Sequence, residues 1–253
     1  MGNNRNERNI AQLDGYQLFA KGEDMVKRKN QTKSSAISGT IIRQAQRVGI
    51  FGASGCGKTT KARELTANLN RLIYFDPLAE LGSSAGVTGV FSSIDRLKIA
   101  LKRDFCKGFR FDFIPTFGNE IKELNELCYY LLELQGGYKA GRHQAQITLF
   151  VDELDIAFPS GITQRDTQNG FAYLCRRGRH YGINLIGISQ RPHQVDICFR
   201  GNCSGVYWFR HAEPSDIDVA ARALGKEYRE TLRNLGNYQY IYKSGGQVIT
   251  KLK

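Results

Sequence analysis

The sequence predicts an α/β fold, a mostly parallel sheet flanked by helices and closed by a C-terminal β-hairpin. Three observations carry that prediction. Short apolar runs alternate with longer stretches of helical period, the pattern of repeated strand–helix–strand units. A glycine-rich turn, Gly52-Ala53-Ser54-Gly55-Cys56-Gly57-Lys58-Thr59-Thr60, joins the first apolar run to the first helical one. Polar residues stand where the apolar runs stop, at Asp76, at Asp152-Glu153 and at Gln190. In open parallel sheets, ligands bind at those carboxyl ends.

Residues 1–40 are polar and Asn-rich, with a basic knot at Lys27-Arg28-Lys29, and read as an arm with one short helix near 12–19. The rest, 41–253, reads as a single domain. Ile41 to Arg47 leads into a buried strand at 48–51, followed by a helix at 61–69 with Ala62, Leu65 and Leu69 on one face. A second strand starts at Arg71 and ends in Asp76-Pro77. A helix at 93–106, a strand at 109–114 and a stronger helix at 120–134 come next. Gly136-Gly137 stops that helix before a basic loop, Tyr138-Lys139-Ala140-Gly141-Arg142-His143. Ile147 to Val151 is a strand ending in the two acids, and 166–180 a helix. The strand 183–188 then ends in Ser189-Gln190-Arg191-Pro192. A strand at 205–209, helices at 214–225 and 226–235, and a hairpin of 238–242 with 247–252 complete the chain.

The chain has 253 residues, 36 Lys plus Arg against 24 acids, and a net charge of +12. That excess suits a polyanionic partner, nucleic acid or a membrane surface, and equally a merely basic soluble protein. Six cysteines with no CxxC pair point to a reduced, cytoplasmic interior, and Cys198 and Cys203 lack partner ligands for a metal. No stretch approaches the roughly 18 apolar residues that cross a bilayer, so stable membrane insertion is not expected.

Gly52-x-x-x-x-Gly57-Lys58-Thr59 is the phosphate-cradling P-loop pattern, in its required place between a strand and a helix. Glycines let successive N–H groups of residues 52–60 point inward at phosphates, and the helix N-terminus adds its positive dipole end. Lys58 then reaches the β/γ-phosphates of ATP, and the Thr59 hydroxyl is placed to ligate Mg²⁺. After an apolar strand, Asp152 is placed to hold Mg²⁺ and Glu153 to orient an attacking water, although two acids also cap a strand end. Gln190, at the next strand end, is placed as a γ-phosphate or water sensor. The run Arg176-Arg177-Gly178-Arg179-His180 reads either as a basic last turn complementing a helix dipole or as the source of an arginine finger. Arg179 is the first candidate for the finger and Arg200 the second.

The block Gly178-Arg179-His180-Tyr181-Gly182-Ile183-Asn184-Leu185-Ile186-Gly187-Ile188-Ser189-Gln190-Arg191-Pro192 resembles the Gly-Arg-x-x-Gly-apolar run ending in Ser/Thr-Gln-Arg-Pro of the HerA/FtsK superfamily of DNA-translocating ATPases. Asp76-Pro77 with Glu80, and Asp152-Glu153, are similar to that superfamily's second strand end and hydrolytic pair. The resemblance covers about 47–225. It implies a P-loop NTPase of the RecA/ASCE-like kind, working as a homo-oligomeric ring, often a hexamer, with ATP between subunits and double-stranded DNA threaded through the centre. A minimal ATPase domain with a short arm is most similar to the genome-packaging ATPases of membrane-containing icosahedral viruses. This implies incorporation in a virion and a capsid or vertex partner.

The expected function is therefore an ATP-hydrolysing duplex-DNA translocase. Lys139, Arg142 and His143, and then Lys102, Arg103 and Lys107, are candidates for gripping phosphates without reading sequence, or are ordinary solvated surface. The alternative is a membrane-associated phage assembly or secretion ATPase, or a conjugative coupling ATPase. A small-molecule kinase is disfavoured by Glu153 and by the Gln190-Arg191-Pro192 block.

Overall fold

The computed structural model describes residues 45–82 and 86–252, so the arm at 1–40 and its helix at 12–19 lie outside the described residues. In chain order β1 (Arg47–Phe51) leads through the glycine-rich loop to α1 (Lys58–Thr66), then β2 (Arg71–Phe75), β3 (Gly89–Phe91), α2 (Ile94–Asp104) and β4 (Phe109–Phe113). Next come α3 (Glu120–Leu134), α4 (Gly136–Lys139), β5 (Ile147–Val151), α5 (Leu154–Ala157), α6 (Ile162–Arg165) and α7 (Gly170–Arg177). A 3-10 turn (Gly178–Tyr181) precedes β6 (Ile183–Ser189), α8 (Ile197–Asn202) and β7 (Gly205–Trp208). Finally α9 (Pro214–Leu224), a 3-10 turn (Lys226–Tyr228), α10 (Arg229–Asn234), β8 (Tyr240–Ser244) and β9 (Gln247–Lys251) close the chain.

The strands form a nine-stranded sheet in the order β3-β4-β2-β5-β6-β1-β7-β8-β9. All pairings from β3 to β7 are parallel, and the β7–β8 and β8–β9 pairings are antiparallel, so the terminal hairpin extends one edge. Every residue of β2, β5 and β6 is buried. A sheet covered by helices on both faces hides both sides of each strand, which is why these segments are continuous apolar runs and do not alternate. The α3 stripe, including Leu124, Cys128 and Leu131, packs into a core with Phe75, Phe113, Leu149, Phe158 and Phe171.

Register fixes the working edge. Phe51 pairs with Ser189 and with Trp208, Phe75 with Val151, and Val151 with Gly187. The carboxyl ends of β1, β2, β5, β6 and β7 therefore lie side by side, and the residues after each end share one edge of the sheet.

Several elements differ from the sequence expectation. α1 starts at Lys58 and not at 61, because Gly57 (φ 106°) makes the left-handed junction directly before it. The helix expected at 166–180 is α7, started by the Asn169 side chain accepting from the Ala172 N–H, followed by the 3-10 turn. The helix expected at 226–235 divides into a 3-10 turn and α10. The first hairpin strand starts at Tyr240 and not at 238. β3, α4, α5, α6 and α8 span too few residues to impose a readable period, and the sequence reading did not include them; Gly136-Gly137, read as a stop before a basic loop, instead opens α4. Among the described residues no helix is long and apolar enough to cross a membrane.

Candidate functional site

The glycine-rich loop hangs between the end of β1 and α1, and backbone hydrogen bonds hold it to the neighbouring strands. Gly52 N–H donates to Ser189 O at 3.3 Å and Ala53 N–H to Arg210 O at 2.8 Å. Cys56 Sγ bonds Ala53 O at 2.8 Å, and burial pushes its thiol pKa up. Lys58 is only 8% exposed, and its ammonium donates to Ala53 O at 2.9 Å. Burial pulls the Lys58 pKa down, and the carboxylates of Glu153, Asp152 and Asp155 pull it back up. The loop lysine therefore shares an electrostatic environment with the acids after β5.

Glu153 starts α5 with a left-handed backbone (φ 41°, ψ 54°), a conformation that costs a residue with a Cβ about 1–2 kcal/mol. Its Oε1 accepts from Gln190 Nε2 at 2.8 Å, so the acid after β5 and the amide after β6 are in direct contact. Asp152 Oδ1 accepts from the Glu153 N–H at 3.0 Å. Burial, with Glu153 and Asp76 nearby, pushes the Asp152 carboxyl up to about 6. Asp76 is fully buried, and its Oδ2 accepts from the Leu81 N–H at 2.6 Å. Burial raises its pKa as well.

Among the described residues no three of His, Cys, Asp and Glu gather to hold a metal ion, so a divalent cation here would draw on a hydroxyl and a carboxylate. The Thr59 side chain is exposed at the start of α1, Asp152 has one oxygen beyond its single hydrogen bond, and the acids crowd a poorly solvated edge where positive charge is favoured.

Residues to which the sequence reading gave no individual role complete the edge. Ser189 Oγ donates to Asp155 Oδ1 at 2.5 Å, and Arg191 Nε to the buried Asp216 Oδ2 at 2.9 Å. The run Ser189-Gln190-Arg191 is thus fastened to α5, to Glu153 and to α9 in turn. Arg210 follows β7 beside the loop and acts electrostatically on Cys56. The strand-end rule that selected Gln190 applies to it equally.

Arg179 is not brought to this edge. It is exposed on the 3-10 turn before β6, whereas Gln190 follows that strand. Seven residues of β6 separate them, roughly 23 Å of extended chain. Arg200 is tied locally, its Nε donating to Val195 O at 3.1 Å.

The two basic clusters named from sequence meet at the edge occupied by Arg179. Phe105, between Lys102-Arg103 and Lys107, packs its ring 5.3 Å from that of His143. The Lys139 ammonium lies 4.7 Å over the Tyr181 ring and donates to its hydroxyl at 2.9 Å. Arg177 stands 5.4 Å over Tyr173. His143 is half-buried in this packing, while Lys102, Arg103, Lys107, Lys139, Arg142 and Arg177 are exposed.

No family model matches the chain, and no curated protein does. Solved structures do. The genome packaging NTPase B204 of Sulfolobus turreted icosahedral virus 2, in complex with AMPPCP, is similar at TM-score 0.62 and 15% identity, over 81% of this chain and 96% of that one. B204 described as the DNA-packaging ATPase of Sulfolobus Turreted Icosahedral Virus matches at 0.56 and 15%, over 82% and 97%. VirB4 of Thermoanaerobacter pseudethanolicus matches at 0.55 and 14%, over 82% and 89%. At these identities the shared property is the fold, an α/β P-loop NTPase sheet.

Proposed function

We propose that the chain is an ATP-hydrolysing translocase of double-stranded DNA, packaging a viral genome as a homo-oligomeric ring, with the ATPase domain starting near residue 41. The observation that carries the reading is the convergence of Lys58, Asp152, Glu153 and Gln190 on one sheet edge, with Glu153 and Gln190 2.8 Å apart. In this reading, the N–H groups of 52–60 cradle the phosphates and Lys58 exchanges the Ala53 carbonyl for β/γ-phosphate oxygens. Thr59 and Asp152 would hold Mg²⁺, which neutralises charge on the β- and γ-phosphates. Glu153 aligns and polarises the attacking water, and Gln190 fixes the Glu153 carboxylate while contacting the γ-phosphate. The likeness in fold to packaging NTPases, one of them solved with AMPPCP, supports both the nucleotide and the packaging reading.

Arg179 lies on the opposite edge of its own sheet, so it serves a phosphate only in a neighbouring copy. That placement supports a ring in which each ATP is completed in trans. The basic and aromatic band formed by Lys102, Arg103, Lys107, Lys139 and Arg142 supplies sequence-independent phosphate contacts. A capsid or vertex partner, location in a virion and the alternative of an assembly or secretion ATPase turn on whether DNA drives the enzyme.

The reaction is tested by phosphate release from ATP with magnesium. Wild type should turn over, and Glu153→Gln should bind nucleotide while hydrolysing at least about a hundred-fold more slowly, the usual size of a lost general base. Full turnover by Glu153→Gln would refute the assigned water-activating role.

A further inference from the structure

Tyr238 sits in the turn between α10 and β8 and is one of three non-glycine residues with positive φ among the described residues, at φ 65°. A left-handed backbone is disfavoured for a tyrosine, whose Cβ crowds the following carbonyl oxygen, and such strain persists only where surrounding structure enforces it. Here the enforcement is visible. The Tyr238 N–H donates to Cys56 O, inside the glycine-rich loop, at 2.8 Å. Gln239 locks the turn, its Oε1 accepting from the Gly236 N–H at 2.6 Å and its Nε2 donating to Leu252 O at 2.6 Å.

The conformation does not serve burial, because Tyr238 remains 61% exposed. What it does is set the ring against the loop. A Cβ added to Gly57 would stand 2.7 Å from Tyr238 Cδ1 and 3.2 Å from its Cα, so the loop glycine is open on the side that the tyrosine occupies. The ring edge lies against Gly57, directly before Lys58, and Tyr238 keeps most of its surface beside the loop open to solvent. A triphosphate held by the N–H groups of 52–60 would leave its nucleoside outside the loop, within reach of an exposed ring fastened to it. Of the other large aromatics exposed among the described residues, Phe117 lies between β4 and α3, with β4 four strands from β1 in the sheet, and Tyr129 lies in the middle of α3.

We infer that Tyr238 is the stacking platform for the purine base of the bound nucleotide. The inference rests on the nucleotide reading of the loop. Stacking on an aromatic face is tolerant of base identity, so the ring contributes affinity for the nucleoside and little discrimination between adenine and guanine.

Calorimetric binding of AMPPCP, its guanine counterpart and inorganic tripolyphosphate to the full chain separates the two claims. Tyr238→Gly removes the ring at a backbone conformation glycine adopts freely, so the fold should survive, with an unfolding midpoint near that of wild type. It should bind both nucleotide analogues roughly ten-fold more weakly and tripolyphosphate unchanged, and Tyr238→Phe should keep wild-type affinity. Unchanged AMPPCP affinity in Tyr238→Gly would overturn the stacking role, as would an equal loss of tripolyphosphate, which would make the ring a support for the loop. Lys58→Ala tells that failure apart from failure of the nucleotide reading. If Lys58→Ala loses AMPPCP while Tyr238→Gly keeps it, the platform alone is refuted; if wild type binds neither nucleotide, both readings fall.

Discussion

Asp112 is fully buried in β4 with neither carboxylate oxygen hydrogen-bonded, and burial together with the charge of Asp76 pushes its carboxyl up to about 7. An acid with a raised pKa holds its proton in the fold at pH values where the unfolded chain has released it. Asp112 therefore lowers stability as pH rises from about 4 to about 7. His211 works the other way. It is 2% exposed, and burial pulls its pKa down to about 4, so the unfolded chain binds a proton that the fold refuses below pH 6.5 and stability falls as pH drops toward 4. Asp112→Asn is expected to raise urea-unfolding stability by ~1–3 kcal/mol at pH 8 and by much less at pH 5. An equal change at both values would show that Asp112 is ionised throughout. The placement of Lys58, Asp152, Glu153 and Gln190 on one edge was legible in the sequence, where a motif or strand end carried it. The burial of Asp112 and His211, and the left-handed turn at Tyr238, depend on what packs around them, and no local pattern encodes that.

The elements that position the site depend on close approach at β6. A Cβ on Gly187 would stand 2.6 Å from Leu154 Cδ2 and 2.7 Å from Phe199 Cζ, so the glycine lets α5 and α8 rest on the strand. Gly187→Ala is expected to cost ~1–3 kcal/mol by overpacking. Because Leu154 follows Glu153, ATP turnover should fall further than the stability loss alone accounts for. Wild-type turnover with normal urea stability would show that α5 shifts freely, against the tight seating of Glu153 described above. Long elements such as α3 and the buried strands were legible, because period and continuous apolarity survive over their length. The four-residue helices α5 and α6 were not, since each is a single turn fixed by tertiary contacts such as the seating of Leu154. Ser189-Gln190-Arg191 stood out as a pattern, but only its bonds to Asp155, Glu153 and Asp216 explain why the three residues occur together.

At the scale of the whole molecule, the proposed phosphate site and the exposed basic band of Lys102, Arg103, Lys107, Lys139 and Arg142 occupy opposite edges of one sheet. The net charge of +12 could be counted in the sequence, but the joining of the two basic clusters through Phe105 and His143 could not. The separation of Arg179 from Gln190 makes a prediction about assembly. Arg179→Ala and Glu153→Gln should each be inactive alone, and mixing them should restore part of the hydrolysis, because a site with Glu153 then meets a neighbour with Arg179. No recovery in rings shown to contain both variants would refute completion in trans. The central claim, a motor driven along duplex DNA, is tested most directly by ATP hydrolysis with and without long duplex DNA. Wild type should be stimulated, with the effect falling steeply as salt rises. Lys139→Ala combined with Arg142→Ala should keep the basal rate and lose the stimulation. A basal rate indifferent to duplex DNA at low salt would contradict the translocase and leave the assembly ATPase in its place.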